Sequence, residues 1–294
     1  MTASLGSGLV LAARPKTLTA AVVPVVVGTA LAPALGHPVI WGRAGLALVG
    51  AGAIQIGTNL FNDLLDFRRG ADTVHRVGPM RVTQAGILTP AEVRAAALAC
   101  FAVALACGIP LVAAAGWPIL VLGLLSLLFG YAYTGGPYPL AYHGLGEPFV
   151  LAFFGLGAVG GTFYLHAGRV AWPVALAGTQ VGLLACALLA INNLRDVDED
   201  RRSGKHTLAA RRGLAFGRGE VAVCAVGPLA LNPVWLATGD GLAALLPLAA
   251  LPLALAAVRV VFRDPPGPSY NRALARAAGL QLAFGALLAL GLML

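Results

Sequence analysis

The sequence predicts an all-α integral membrane protein: a bundle of nine transmembrane helices with a polar cavity facing the cytoplasm. Three observations carry this. The 294-residue chain is 59% hydrophobic and 11% charged, where soluble domains carry about 25% charged residues; a soluble all-α core is the weaker alternative. Apolar runs of the length that crosses a bilayer, about 17–25 residues, recur from end to end. The basic residues gather on one side of those runs.

The runs fall near residues 18–36, 44–66, 93–115, 117–134, 148–166, 172–195, 220–237, 241–262 and 273–294. The first is preceded by "RPKT" and contains Pro24 and Pro33. With further spans behind it, it reads as a retained helix and not as a cleaved signal peptide. The third and fourth are joined by "AAAGWP" and the seventh and eighth by "ATGDG", connections short and nearly uncharged. If nine helices alternate, all twenty Lys and Arg residues except Arg43 and Arg169 fall on one side. The positive-inside rule then places the N-terminus in the cytoplasm and the C-terminus outside. A net charge of +8 is explained by topology and calls for no nucleic acid.

Polar sequence concentrates in two cytoplasmic connections, residues 67–92 and 196–219, each after an even-numbered helix. They begin alike: "NLFNDLLDFRRGADT" and "INNLRDVDEDRRSGKHT" both run asparagine, spaced aspartates, two arginines, glycine and threonine. One domain over 1–294 is expected, divisible into four-helix halves 14–145 and 146–262 with a ninth helix, 273–294. Such duplication is common in membrane proteins.

Two patterns are set aside. "GLGAVG" (Gly155, Gly157, Gly160) matches a dinucleotide fingerprint but has no strand before it and lies in an apolar run; Gly157 and Gly161 are expected to form a close helix-packing face. Cys100, Cys107, Cys186 and Cys224 have no metal-ligand spacing and read as buried thiols. The five histidines share no ligand spacing either.

The acidic clusters carry the chemistry. On the second helix Gln55, Asn59, Asn62, Asp63 and Asp66 form one polar stripe at about 100° per residue. On the sixth, Asn192, Asp196 and Asp200 step by four and share a face; Asp198 and Glu199 fall off it, toward water or nearby arginines. An aspartate at mid-bilayer costs about 2.5–3.5 kcal/mol, so these faces should point into the bundle. A salt-bridge network at the membrane surface would explain the charge, but not the shared faces or the flanking asparagines. Asp and Asn oxygens without His or Cys suit Mg²⁺, which commonly bridges one or two carboxylates to substrate phosphates. The clusters lie at the cytoplasmic mouth, whereas transporter sites lie near the midplane. A charged head at the mouth and a hydrocarbon tail among helices describe a prenyl diphosphate.

Along essentially its whole length the chain resembles the UbiA-type intramembrane prenyltransferases. "NDLLDFRRGAD" is similar to that family's first aspartate-rich motif and "NNLRDVDEDRRSGKHTLAARRG" to its second. "RVGPMRVTQAG", "YTGGPYPLAYHGLGE" and the Gly70–Asp72 ending resemble the bacterial branch that prenylates 1,4-dihydroxy-2-naphthoate in menaquinone synthesis.

The resemblance implies that Asp63, Asp66, Asp196 and Asp200 bind Mg²⁺ bridging the diphosphate, supported by Asn59, Asn62 and Asn192. Lys205, one of only two lysines in the chain, is implied to contact diphosphate, with Arg81 and Arg195 as basic neighbours and Arg81 the preferred substrate contact. Where the wider family has a further aspartate, this chain has Gly70; Asp72 is then expected to orient the acceptor and need not touch metal. Tyr133, among four tyrosines at 131–142, either belongs to an interfacial belt or caps the site and faces a carbocation.

The implied reaction is Mg²⁺-dependent transfer of a polyprenyl group to the naphthoate with decarboxylation, giving demethylmenaquinone in a bacterial inner membrane. Its partners are the prenyl diphosphate, the aromatic acceptor and the bilayer. Prenylation of 4-hydroxybenzoate, homogentisate, haem, chlorophyllide or a glycerol ether is the alternative within the family; a cation-coupled transporter is the alternative outside it.

Overall fold

The computed structural model describes residues 5–70, 78 and 80–294, all as helix and connecting loop. The helices are α1 (Leu5–Ala13), α2 (Thr19–Ala34), α3 (Trp41–Arg68), α4 (Pro90–Ala115) and α5 (Trp117–Ala132). After them come α6 (Gly146–Ala167), α7 (Trp172–Arg195), the short α8 (Val197–Arg202) and α9 (Leu208–Arg212), then α10 (Leu214–Thr238), α11 (Gly241–Arg263) and α12 (Tyr270–Met293).

Among the described residues seven helices are long and apolar enough to cross a membrane: α3, α4, α6, α7, α10, α11 and α12. The segment Gly6–Thr17 meets α2 at a bend of 54°, and the pair can make one further span. At 16 residues α5 is apolar but shorter. The chain is therefore a multi-pass membrane protein, and each of the nine expected segments falls largely on helix.

The bend before α2 has a physical cause. Arg14 adopts φ 52°, ψ 70°, a left-handed conformation unusual outside glycine, and Pro15 then opens a short 3₁₀ turn over 15–17. Asn59 of α3 clamps this elbow, donating from Nδ2 to the Ala13 carbonyl (2.9 Å) and to Thr17 Oγ1 (3.1 Å). Gln55 adds a longer bond to the same hydroxyl at 3.4 Å. Two members of the polar stripe on α3 thus hold backbone in place.

The centre of the bundle is α7, packed against α6, α10 and α12. Glycine lets it approach α6. A Cβ built on Gly155 would lie 2.3 Å from the Gly178 carbonyl and 2.7 Å from the Gly182 Cα. The expected face at Gly157 and Gly161 is also in contact, against Leu122 of α5, at 3.2 Å and 2.5 Å by the same measure. Gly155 and Gly157 of "GLGAVG" therefore serve close helix crossing.

The connection after α3 returns to the bundle through "ILTPAEV". Pro90 occupies the first turn of α4, and Thr89 with Glu92 forms a reciprocal capping box.

The α6–α7 crossing makes a prediction. Gly155→Val places a branched side chain against backbone that cannot withdraw, an overpacking that typically costs 1–3 kcal/mol. A clearly lowered unfolding midpoint in detergent is expected, while Gly160→Ala, facing only Val174 at 4.0 Å, should change it little. Equal midpoints for the two variants would refute this account of the core.

Candidate active site

The site is built where three loops meet: residues 80–88 after α3, 133–145 after α5, and 196–207 after α7. A helix of 28 residues is about 42 Å long, longer than a hydrocarbon core of about 30 Å. Its last two turns carry Asp63 and Asp66.

Residues three apart on a helix differ by about 60° in direction, and this separates the two aspartates. Asp63 (2% exposed) turns to the loop that follows. It accepts from the backbone N–H of Val82 and of Thr83, both at 3.1 Å, and from the Thr83 hydroxyl. Asp66 turns inward. Its Oδ2 accepts from Arg81 Nη2 at 3.0 Å and Lys205 Nζ at 2.8 Å, and its Oδ1 from the Tyr142 hydroxyl at 2.9 Å.

The second acidic motif is not one continuous helix. α7 ends at Arg195, Asp196 breaks from helical geometry (φ −98°, ψ 11°), and α8 restarts at Val197. Asp200 N–H still donates to the Asp196 carbonyl at 2.8 Å, so both carboxylates remain buried on one side. Asp198 points to solvent, 73% exposed and 3.5 Å from Arg201. Arg195 grips Asp196 through Nε to Oδ1 (2.8 Å) and Nη2 to Oδ2 (2.7 Å), a bidentate pair. The same arginine donates to Asn192 Oδ1 at 2.7 Å and Asn271 Oδ1 at 2.9 Å. Thr207 donates to Asp200 Oδ2 at 3.3 Å.

Asp66, Asp196 and Asp200 line one polar cavity of about 80 Å³ with Arg81 and Lys205. Asn62, Asn192 and Tyr133 also line it and are shared with a larger, mainly apolar cavity of about 740 Å³. The apolar cavity runs among α2, α3, α5, α6 and α7, past the aromatic cluster of Phe129, Phe149 and Phe153, whose ring centres lie 4.7–6.0 Å apart. Tyr133 stands where a charged head chamber meets a greasy one. Tyr142 covers the outer side, with Arg69 4.9 Å and Lys205 5.0 Å from its ring centre.

Of the residues read from the sequence, Asn62, Asp66, Arg81, Tyr133, Asn192, Asp196, Asp200 and Lys205 converge on the polar cavity. Asn59 and Arg195 line the apolar one. Asp63 stands outside both linings, and Asp72 lies outside the described residues. Sequence reading passed over Arg14, which reaches both cavities, and Thr134, Glu147, Asn193 and Thr207 in the polar one. In the sequence Arg14 is one of the one-sided basic residues, and the Pro-Lys-Thr directly after it is the signal of an elbow.

Among the described residues, no three of His, Cys, Asp and Glu come close enough to enclose a metal ion alone. The donors present are carboxylate and amide oxygens, a hard set that fits Mg²⁺ held through one or two carboxylates and completed by ligand phosphate and water.

The UbiA prenyltransferase family pattern matches residues 21–290. This chain belongs to the UbiA prenyltransferase family. Over 286 residues it is 39% identical to the 1,4-dihydroxy-2-naphthoate octaprenyltransferase of Mycobacterium leprae, covering 95% of this chain and 93% of the relative. The Escherichia coli enzyme of the same name is 40% identical over 208 residues, 68% of this chain and 67% of the relative. The UbiA fold is seen again in a homologue from Archaeoglobus fulgidus bound to GPP and Mg²⁺, with TM-score 0.68, 16% identity and coverage of 98% and 99%. A homologue from Aeropyrum pernix K1 gives TM-score 0.70 at 18% identity, covering 92% of this chain and 96% of that one.

The split of roles on α3 is testable. Asp63→Ala strips the acceptor from two buried backbone N–H groups, at about 1–3 kcal/mol each. The unfolding midpoint should fall and trypsin should cut faster at Arg81. Unchanged protection of that bond would contradict a bracing role.

Proposed function

We propose that this UbiA-family protein transfers a polyprenyl group from prenyl diphosphate to 1,4-dihydroxy-2-naphthoate with loss of the carboxylate as CO₂ and release of diphosphate, giving the quinol form of demethylmenaquinone. The observation that carries the reading is the convergence of Asp66, Asp196 and Asp200 with Lys205 and Arg81 on one polar cavity of about 80 Å³ that borders an apolar one of about 740 Å³. The acceptor is supported by naphthoate octaprenyltransferases 39–40% identical to this chain.

The roles follow from chemistry. Bound Mg²⁺ would neutralise the diphosphate and stabilise the charge that grows on it as the allylic C–O bond breaks. Asp66, Asp196 and Asp200 would hold that ion from opposite walls, with Asn62 and Asn192 oxygens supporting them. Lys205 and Arg81 would move from Asp66 to the phosphate oxygens, placing positive charge where the leaving group develops negative charge. Arg195 would keep Asp196 oriented. Asp63, and Asn59 at the elbow, would fix the loops that carry Arg81 and Arg14. The prenyl tail would lie along Phe129, Phe149 and Phe153, and the Tyr133 ring would face the cation. Tyr142 and its loop would exclude water, which otherwise quenches the cation to an alcohol.

We read the chain as nine spans, counting the kinked first segment and the short α5, with the N-terminus and cavity on the cytoplasmic side of a bacterial inner membrane. One-sided basic residues support that orientation. Two four-helix halves, each delivering one acidic motif, fit this arrangement. The acidic motifs lie at helix ends, which favours an enzyme over a cation-coupled transporter, whose site is expected near the midplane.

Membranes containing the protein, supplied with Mg²⁺, a prenyl diphosphate and a panel of acceptors, should prenylate the dihydroxynaphthoate. EDTA should stop turnover and added Mg²⁺ restore it. Prenylation of 4-hydroxybenzoate but not of the naphthoate would overturn the acceptor assignment. Lys205→Ala should lower kcat by at least ten-fold; an unchanged kcat would remove that lysine from the diphosphate site.

A further inference from the structure

Glu147 has a different setting in the polar cavity from Asp66 and Asp196. Glu147 comes from the first turn of α6, in the wall opposite α3. Asp66 is held by Arg81 and Lys205, and Asp196 by Arg195. Glu147 is 8% exposed, and its carboxylate accepts from a neutral amide, Asn193 Nδ2 to Oε1 at 2.9 Å. Among the described residues no lysine or arginine pairs with it, and Asn193 is its one side-chain hydrogen-bond partner.

Burying a carboxylate without a cation is costly, and bracing Asn193 would not demand it: a glutamine could accept the same N–H. The setting suits a ligand that brings an O–H donor. It is unsuited to diphosphate or to an acceptor's own carboxylate, which a nearby carboxylate repels. Position narrows the ligand further. A Cβ built on the neighbouring Gly146 would lie 3.1 Å from the Tyr133 hydroxyl, so glycine there lets α6 begin directly against the tyrosine at the chamber junction. Glu147 is therefore one residue from the place where the allylic carbon would be exposed.

We propose that Glu147, oriented by Asn193, binds a ring hydroxyl of the aromatic acceptor and exchanges a proton with it during prenyl transfer. The proposal rests on the reading of the site as a prenyltransferase. As a ring carbon bonds to the allylic cation, the hydroxyl proton passes to Glu147 Oε2, and the O–H electron pair becomes the C=O bond of a keto intermediate. When the ring carboxylate departs as CO₂, its bonding pair restores the aromatic ring, and the carbonyl oxygen takes the proton back. No net proton is consumed. The acceptor class is a hydroxyarene with a hydroxyl next to the reacting carbon.

The test uses the full chain in nanodiscs with Mg²⁺, farnesyl diphosphate and 1,4-dihydroxy-2-naphthoate. Glu147→Gln keeps the size and the bond to Asn193 but cannot take a proton. General-base groups typically contribute 10²–10⁴-fold, so kcat should fall at least 100-fold. The KM for farnesyl diphosphate should stay within about two-fold, and its slow acceptor-free solvolysis should persist. Glu147→Asp should recover at least ten-fold over Gln, and electron-withdrawing ring substituents that acidify the hydroxyl should narrow the gap between Gln variant and wild type. A Gln variant within about three-fold of wild-type kcat would overturn the proposal, as would an equal loss of farnesyl diphosphate affinity. So would an Asp variant no better than Gln, or, if Gln fails to fold, an Asp variant insensitive to ring acidity. Absence of turnover by the wild type with every hydroxyarene would overturn both this and the underlying function, and is recognised by the wild-type control alone.

Discussion

Asp66 is the point on which the polar end of the molecule depends. Its carboxylate gathers Arg81 from the loop after α3, Lys205 from the loop after α7 and Tyr142 from the loop after α5. Three segments far apart in sequence are thereby held over one cavity. Asp66 is 2% exposed, and in such surroundings charge-assisted bonds are strong, while removing one partner of a buried ion pair costs about 3–5 kcal/mol. Under the proposed function the same contacts would also serve binding. The two cations on Asp66 suit phosphate oxygens equally well, so a metal-bound diphosphate can exchange partners with them without leaving any charge alone.

Around that centre, the remaining polar groups act as scaffolding. Asp63 secures the loop carrying Arg81, Asn59 secures the elbow carrying Arg14, and Arg195 secures Asp196 while tying α7 to Asn271 of α12. The apolar body supplies shape. Gly155 against Gly178 and Gly182 brings α6 onto α7, and α6 is the helix that presents Phe149, Phe153 and Glu147 to the cavities. Tight packing deep in the bundle thus sets the position of groups at its mouth.

Much of this was legible in the sequence. Apolar runs and one-sided arginines gave the helices, and asparagine–aspartate spacing pointed to Asn62, Asp66, Asn192, Asp196 and Asp200 of the polar cavity. The polar stripe on α3 was harder to read, because five residues within about 100° of arc look like one face yet serve three purposes. Only the loop conformation at 82–83 reveals that Asp63 braces backbone. The break at Asp196 was hidden because a four-residue step reads the same through one helix or through a restarted one. Glu147 escaped notice because a single acid at the start of a greasy helix resembles a surface charge until the fold folds it inward. Arg14 was masked by its usefulness to the topology argument.

The most direct measurement is equilibrium binding of a non-ionising prenyl thiodiphosphate to the purified wild-type protein, with Mg²⁺ and with EDTA. Carboxylates that grip a diphosphate only through a shared cation predict a loss of at least 100-fold when the ion is withdrawn. Equal affinity in the two conditions would mean that the basic residues alone carry the ligand, and the account of the acidic motifs would fall.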